Sequence, residues 1–166
     1  MVEAAGHIPR HISVQAAPFD LAVEVGRLTA GRTDIGAVVT FTGLCRDEAG
    51  QLSALELEHY PGMAEDELTR VVAQAEQRWP LQAVGVIHRY GLIKPGEVIV
   101  LVVTASAHRV AAFEAASFLM DYLKTRAPFW KKEHLADGTS GGWVEAKAHD
   151  DLAAERWSAA QAPVKI

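Results

Sequence analysis

Cysteine is almost missing from this chain: Cys45 stands alone among 166 residues. One thiol excludes an internal disulfide and a multi-cysteine metal site, and it suits a reducing compartment. No apolar run approaches the roughly 20 residues that a membrane-spanning helix needs. Glu3 falls early and no apolar stretch follows it, so no signal peptide is expected and the expected location is the cytoplasm. Basic charge is in deficit, with 16 Lys and Arg against 21 Asp and Glu and a formal net charge of -5. The broad basic face of a nucleic-acid binder is therefore not expected. Several motifs are lacking as well. Gly36 and Gly43 bound a strand pattern and open no helix, so no glycine-rich phosphate loop is present. His59, His88, His108 and His134 fall on separate segments without an i, i+4 pair, which argues against a metal site and favours surface or hydrogen-bonded histidines. No serine sits in a Gly-x-Ser-x-Gly elbow. Cys45 follows apolar Leu44 and reads as a passive thiol.

What remains is an ordinary globular composition, 49% hydrophobic and 22% charged, on a chain long enough for one sizeable core. The expected organisation is an N-terminal strand and helix extension over residues 1–35, a single catalytic domain over 36–150, and a C-terminal helix or tail over 151–166. Residues 1–10 are expected to be loose. A short strand follows over His11–Gln15, then a helix over Leu21–Thr29 capped by Asp20. The run Gly36-Ala37-Val38-Val39-Thr40-Phe41-Thr42-Gly43 is a strong strand pattern leading into a loop at Leu44–Glu48. Ala54–Tyr60 is a second strand, with Leu55, Leu57 and His59 on one face.

Met63–Trp79 has helical spacing and ends at Pro80. Ala83–Tyr90 and the nearly continuous apolar run Val98–Ala105 read as strands, the latter central and buried on both faces. Between them Lys94-Pro95-Gly96-Glu97 has proline and glycine where a type II turn wants them. A long helix over about Arg109–Thr125, capped by Ser106, is expected to bury a stripe of Phe113, Ala116, Met120 and Leu123. Asp137–Gly142 reads as a flexible loop, Trp143–Ala148 as a last strand with Lys147 solvated at its end, and Asp150–Ala160 as a terminal helix. This mix of hairpins and crossovers gives the class α+β.

The densest chemistry lies in Asp121-Tyr122-Leu123-Lys124-Thr125-Arg126-Ala127-Pro128-Phe129-Trp130-Lys131-Lys132-Glu133, a local basic cluster in an acidic protein. Pro128 forbids continuation of the helix, which leaves Lys124 in the last turn, where the helix dipole favours a cation. A sharp turn after it, fixed by inward-packed Phe129 and Trp130, would return Lys131 to the side of Lys124. At the other end, His108-Arg109 opens the helix where an anion is favoured, and Arg46 lies just past a strand end, where loops carry ligands. The alternative for each is a solvated charge. Arg109 and Lys124 are separated by fifteen residues, about 22 Å along a helix. If both serve one small-molecule site, a second copy of the chain must supply one of them.

These segments resemble those of the family of large, catalytic subunits of molybdopterin synthase. The resemblance runs from about Ala37 to about Trp157. It includes the Gly36–Gly43 strand with Arg46, Leu57-Glu58-His59-Tyr60-Pro61-Gly62-Met63, Val86-Ile87-His88-Arg89, Ser106-Ala107-His108-Arg109, the basic segment, and Trp143-Val144-Glu145-Ala146. It implies an α/β hammerhead-type fold and a homodimer with sites shared between subunits. It also implies a heterotetramer with two copies of a small ubiquitin-like sulfur carrier, whose C-terminal Gly-Gly bears a thiocarboxylate. The implied reaction moves two sulfurs onto cyclic pyranopterin monophosphate to form the dithiolene of molybdopterin, with no cofactor and no metal.

The family's catalytic lysines fall on Lys124 and Lys131. Its substrate-binding positions fall on these two lysines and on Arg46, His108, Arg109, Lys132 and Glu133. The family often has a Lys-Val-Arg type sequence where this chain has Leu44-Cys45-Arg46, so contacts from Leu44 and Cys45 would be made through backbone groups. Lys124 is expected to stabilise the anionic oxygen of a tetrahedral intermediate, with proton transfer if neighbouring cations lower its pKa. Two other readings predict different behaviour. A non-catalytic module would bind the carrier without turnover, and a phosphate-ester hydrolase would act without any carrier.

Overall fold

Among the described residues, two four-stranded sheets carry the fold and four helices pack around them. A computed structural model describes residues 8–144 and 148–158. The first sheet has the order β1-β4-β6-β2, from strands β1 (Arg10–Gln15), β2 (Ala37–Leu44), β4 (Leu81–Arg89) and β6 (Val98–Ser106). β1 runs parallel to β4, while β4 and β2 both run antiparallel to β6. The second sheet has the order β5-β3-β7-β8 and is antiparallel, from β3 (Leu52–His59), β5 (Gly91–Ile93), β7 (Phe129–Leu135) and β8 (Ser140–Val144). The helices are α1 (Leu21–Thr29), α2 (Met63–Arg78), α3 (Arg109–Thr125) and α4 (Ala148–Glu155). The α+β class follows directly from this arrangement. No helix among the described residues is long and apolar enough to cross a membrane.

Alternation along the central strands sorts the core. Ala83 and Ile87 of β4 join Leu101, Val103 and Ala105 of β6 on one face, covered by Leu28 of α1. Val84 and Val86 join Val100 and Val102 on the opposite face, under Leu68, Val71 and Val72 of α2 and Ala115 and Leu119 of α3. The continuous apolar run of β6 is thus the signature of a strand buried on both sides. Leu57 and Ile93 of the second sheet form a smaller cluster with Cys45.

Local signals are mostly honoured. Asp20 caps α1, accepting from the Val23 N–H at 3.0 Å. The turn before β6 closes with Glu97 N–H donating to the Lys94 carbonyl, and Gly96 takes φ +87°, as a type II turn requires.

Four expectations are corrected. Ser106 is the last residue of β6, its hydroxyl donating to the Pro80 carbonyl at 2.8 Å, and His108 is the N-cap of α3. Phe113 is 62% exposed, while Ala116 of the same stripe is buried and Met120 and Leu123 pack against the core beside Ala112, Ala115, Leu119 and Tyr122. Alanines make the apolar face of this helix wide, and only the packing beneath decides which edge of it stays exposed. The segment after Pro128 is strand β7 and not a turn, and Trp130 is 48% exposed on it. Finally, Ser140–Gly142 lie in β8, and the last helix begins at Ala148. The expected strand end and solvated lysine at 145–147, and the loose stretch at 1–7, lie outside the described residues.

Candidate active site

The C-terminus of α3 and the start of β7 meet above the end of β4. Lys124 is exposed in the last turn of α3, which closes with the Arg126 N–H donating to the Tyr122 carbonyl at 2.9 Å. Tyr122 fixes this end of α3 against α2: its hydroxyl donates to the Glu67 carboxylate and accepts from Arg70 Nη2 at 2.7 Å. Burial and the Glu67 bond push the Tyr122 pKa up, while Arg70 and Tyr122 hold the Glu67 carboxyl below its ordinary value.

β7 then pairs with β3, with Phe129 opposite His59 and Lys131 opposite Leu57. Side chains alternate on a strand, so Phe129, Lys131 and Glu133 project from one face and Trp130, Lys132 and His134 from the other. Lys132 places its ammonium 5.8 Å from the centre of the Trp143 ring, and His134 faces Glu56 at 2.6 Å.

Beneath the lysines lies a cluster of rings. His88, 6% exposed, stacks on Phe129 with centroids 3.7 Å apart and planes 13° apart. His59 stacks 6.3 Å from Phe129 and sits 4.2 Å from Tyr90. Burial, together with the positive charges of Lys131 and Lys124, pushes the His88 pKa down to about 4. Both lysine charges therefore reach one buried ring, from an element on each side of Pro128. The charges of Lys124 and Lys131 thus act on the same ring, Lys131 from a strand pairing rather than from a tight turn.

The remaining sequence-derived residues fall into two groups. Leu44 ends β2 and is exposed; Arg46 is exposed and ion-paired with Glu48. Cys45 is buried between them, its backbone bonded to Gly96 N–H and to the Glu97 carbonyl. Burial first, then the nearby acids Glu97, Asp47 and Glu133, push the Cys45 thiol up, so it is a poor nucleophile. The same proximity puts the Leu44–Arg46 loop beside Glu133 and hence beside the lysine face of β7. His108 and Arg109 lie exposed at the opposite end of α3 from Lys124, the length of the helix away. Sequence reasoning passed over His88 as a neutral, hydrogen-bonded histidine. It is one, and its apolar strand context gave no sign of the lysines above it. Among the described residues no group of histidines, cysteines and carboxylates is arranged to hold a metal ion.

Comparison with known proteins shows the family. The family model described as MoaE protein matches residues 14–126. The chain belongs to this family, that of molybdopterin synthase catalytic subunits. It is 66% identical over 149 residues to the molybdopterin synthase catalytic subunit of Brucella melitensis, covering 90% of this chain and 91% of that protein. The counterpart from Mesorhizobium japonicum is 68% identical over 146 residues, covering 88% of this chain and 92% of its own. Among solved structures, the molybdopterin biosynthesis MoaE protein from Burkholderia ambifaria superimposes with a TM-score of 0.77 at 45% identity, covering 90% of this chain and 99% of its own.

Proposed function

We propose that this chain transfers sulfur from the C-terminal thiocarboxylate of a small ubiquitin-like carrier to cyclic pyranopterin monophosphate, with Lys124 and Lys131 at the reacting centre. The observation that supports the residue assignment is that Lys131 shares a strand face with Phe129, which stacks on the buried His88, and that the charges of both lysines act on that ring. A pair of cations at a helix C-terminus and a strand start is a preorganised site for an anion. When the carrier's thiocarboxylate carbonyl is attacked, the tetrahedral intermediate places negative charge on oxygen. Lys124, exposed at the end of α3, stabilises that oxygen, and Lys131 positions the carrier tail or the pterin.

Arg46, whose Glu48 partner is itself exposed and exchangeable, holds the substrate phosphate through charge-assisted hydrogen bonds. His108 and Arg109 add to this grip from the second subunit of a homodimer, because α3 keeps them about 22 Å from Lys124 within one chain. Glu133 borders the site from the same face of β7 as Lys131, Lys132 leaves the opposite face toward Trp143 and would meet substrate only from that side, and Leu44 and Cys45 contribute through their backbone.

The test is reconstitution. The chain is mixed with a thiocarboxylated carrier and cyclic pyranopterin monophosphate, and molybdopterin is assayed. Product with the carrier and none without it is expected, and Lys124→Ala should lower turnover by about a hundredfold or more with an unchanged circular dichroism spectrum. Tight carrier binding without product would favour an adaptor, and full activity of Lys124→Ala would remove that residue from the chemistry.

A further inference from the structure

His88 is held in a way that its burial alone does not require. It is the penultimate residue of β4 and lies on the same face as Val84 and Val86, the face that α2 and α3 cover. Its Nδ1 is 2.8 Å from the Arg89 carbonyl oxygen. A carbonyl only accepts, so Nδ1 carries the hydrogen and Nε2 carries the lone pair of an acceptor. The ring is clamped in plane by Phe129. Lys131 leaves β7 from the same face as Phe129, two residues or about 7 Å further along the strand. Lys124 ends the helix that roofs this face. The other charged or titratable groups facing the pair are His59, opposite Phe129, and Glu133, two residues beyond Lys131 on the same face of β7. Because burial and the two lysine charges keep its pKa at about 4, the ring stays uncharged wherever the enzyme would work.

We propose that His88 is a positioning residue for the lysine pair, its Nε2 the neutral acceptor that orients the Lys131 ammonium toward the reacting centre. The residue transfers no proton in this role. A neutral acceptor orients a lysine without cancelling its charge, which a carboxylate at this place would do. An acceptor also favours the charged form of the amine, so it holds the lysine protonated at higher pH. The inference rests on the reading of Lys131 as a site residue.

The experiment pairs activity with a readout that needs no substrate. In the dimeric protein, lysine side chains are labelled with carbon-13 and the Lys131 resonance, assigned by its loss in Lys131→Arg, is titrated by NMR. Three variants are compared. His88→Phe keeps the stack on Phe129, His88→Asn keeps a donor for the Arg89 carbonyl, and His88→Gln restores a polar group near Nε2. In His88→Phe and His88→Asn the Lys131 titration should move down by about one pH unit. With a saturating carrier, kcat should fall about tenfold or more, as expected for loss of a hydrogen bond to a charged group, and the alkaline limb of the rate profile should move with the lysine. His88→Gln should recover part of both. Should His88→Phe fail to fold, His88→Asn decides alone. An unmoved Lys131 titration in the folded variants overturns the proposal and leaves His88 as packing only. If the wild-type protein transfers no sulfur, the functional reading fails, and the Lys131 titration still decides the role of His88.

Discussion

Cys45 and His88 are both buried, and burial makes each inert in a different sense. A thiol must ionise to attack, and here desolvation and three neighbouring acids oppose the thiolate. Cys45→Ser is therefore expected to leave turnover within about twofold of the wild type, with a stability cost of about 1 kcal/mol for setting a hydroxyl among Leu57 and Ile93. Steady-state kinetics and urea unfolding would check both halves, and a large loss of turnover would give the thiol a chemical role.

For His88 the consequence is a pH dependence of folding. The imidazole titrates near 6.5 when unfolded and at about 4 when folded. Between those values the unfolded chain binds the extra proton, so stability rises with pH across that window. The contribution is complete above about 6.5 and is lost as pH falls toward about 4, and it amounts to about 3 kcal/mol. Urea unfolding at pH 7 and pH 4 should show the wild type losing that much more than His88→Phe, since other groups titrate alike in both. Equal losses would mean that the ring is open to solvent in acid.

At the scale of elements, the end of β6 and the start of α3 are set by a close backbone approach. Gly36 donates its N–H to the Ser106 carbonyl at 3.0 Å, and a Cβ at Gly36 would sit 2.2 Å from the Ala107 carbonyl oxygen. Backbone cannot swing aside as a flexible side chain can. Gly36→Ala should cost about 1–3 kcal/mol, as overpacking does. It should also shift Ala107–Arg109, raising KM for the phosphate-bearing substrate more than it lowers kcat. Denaturant melts and a KM–kcat comparison test this, and a neutral substitution would show that the strand–helix corner yields easily. The other end of α3 is fixed by side chains, Tyr122 between Glu67 and Arg70 and Asp121 accepting from Trp157 Nε1 at 2.6 Å. The two ends of this helix are thus held by different means, and each end carries one half of the proposed site.

For the whole molecule, that division requires two chains. Arg109→Ala and Lys124→Ala homodimers should each be inactive, the first lacking the phosphate grip and the second the oxyanion cation. Unfolding and refolding an equal mixture should recover about a quarter of wild-type activity, because half the dimers are mixed and each has one intact site of two. No recovery, with mixed dimers demonstrated by mass spectrometry, would place both residues' roles within one chain. The N-terminal segment also belongs to this scale. β1 is an edge strand of the first sheet, and α1 covers one face of that sheet through Leu28.

Local chemistry determined much of this protein in advance. The β-branched run of β2, the doubly apolar β6, the proline stops after α2 and α3, the Asp20 cap and the Lys94–Glu97 turn are short-range effects, and each was legible because its cause lies within a few residues. So were the candidate residues Lys124, Lys131, Arg46, His108 and Arg109, through type and spacing and through likeness to a family. Long-range pairing decided the rest. β7 is polar and aromatic in sequence, and only its register with β3 and β8 makes it a strand, turns Trp130 outward and puts Lys131 on the face of Phe129. Phe113 alone of its expected stripe is exposed, because the packing covers a face centred on Ala112, Ala115 and Leu119. His88 gained its place within reach of two lysine charges because β4 ends near the junction of α3 and β7, more than thirty residues further along the chain, and no local pattern encodes that meeting.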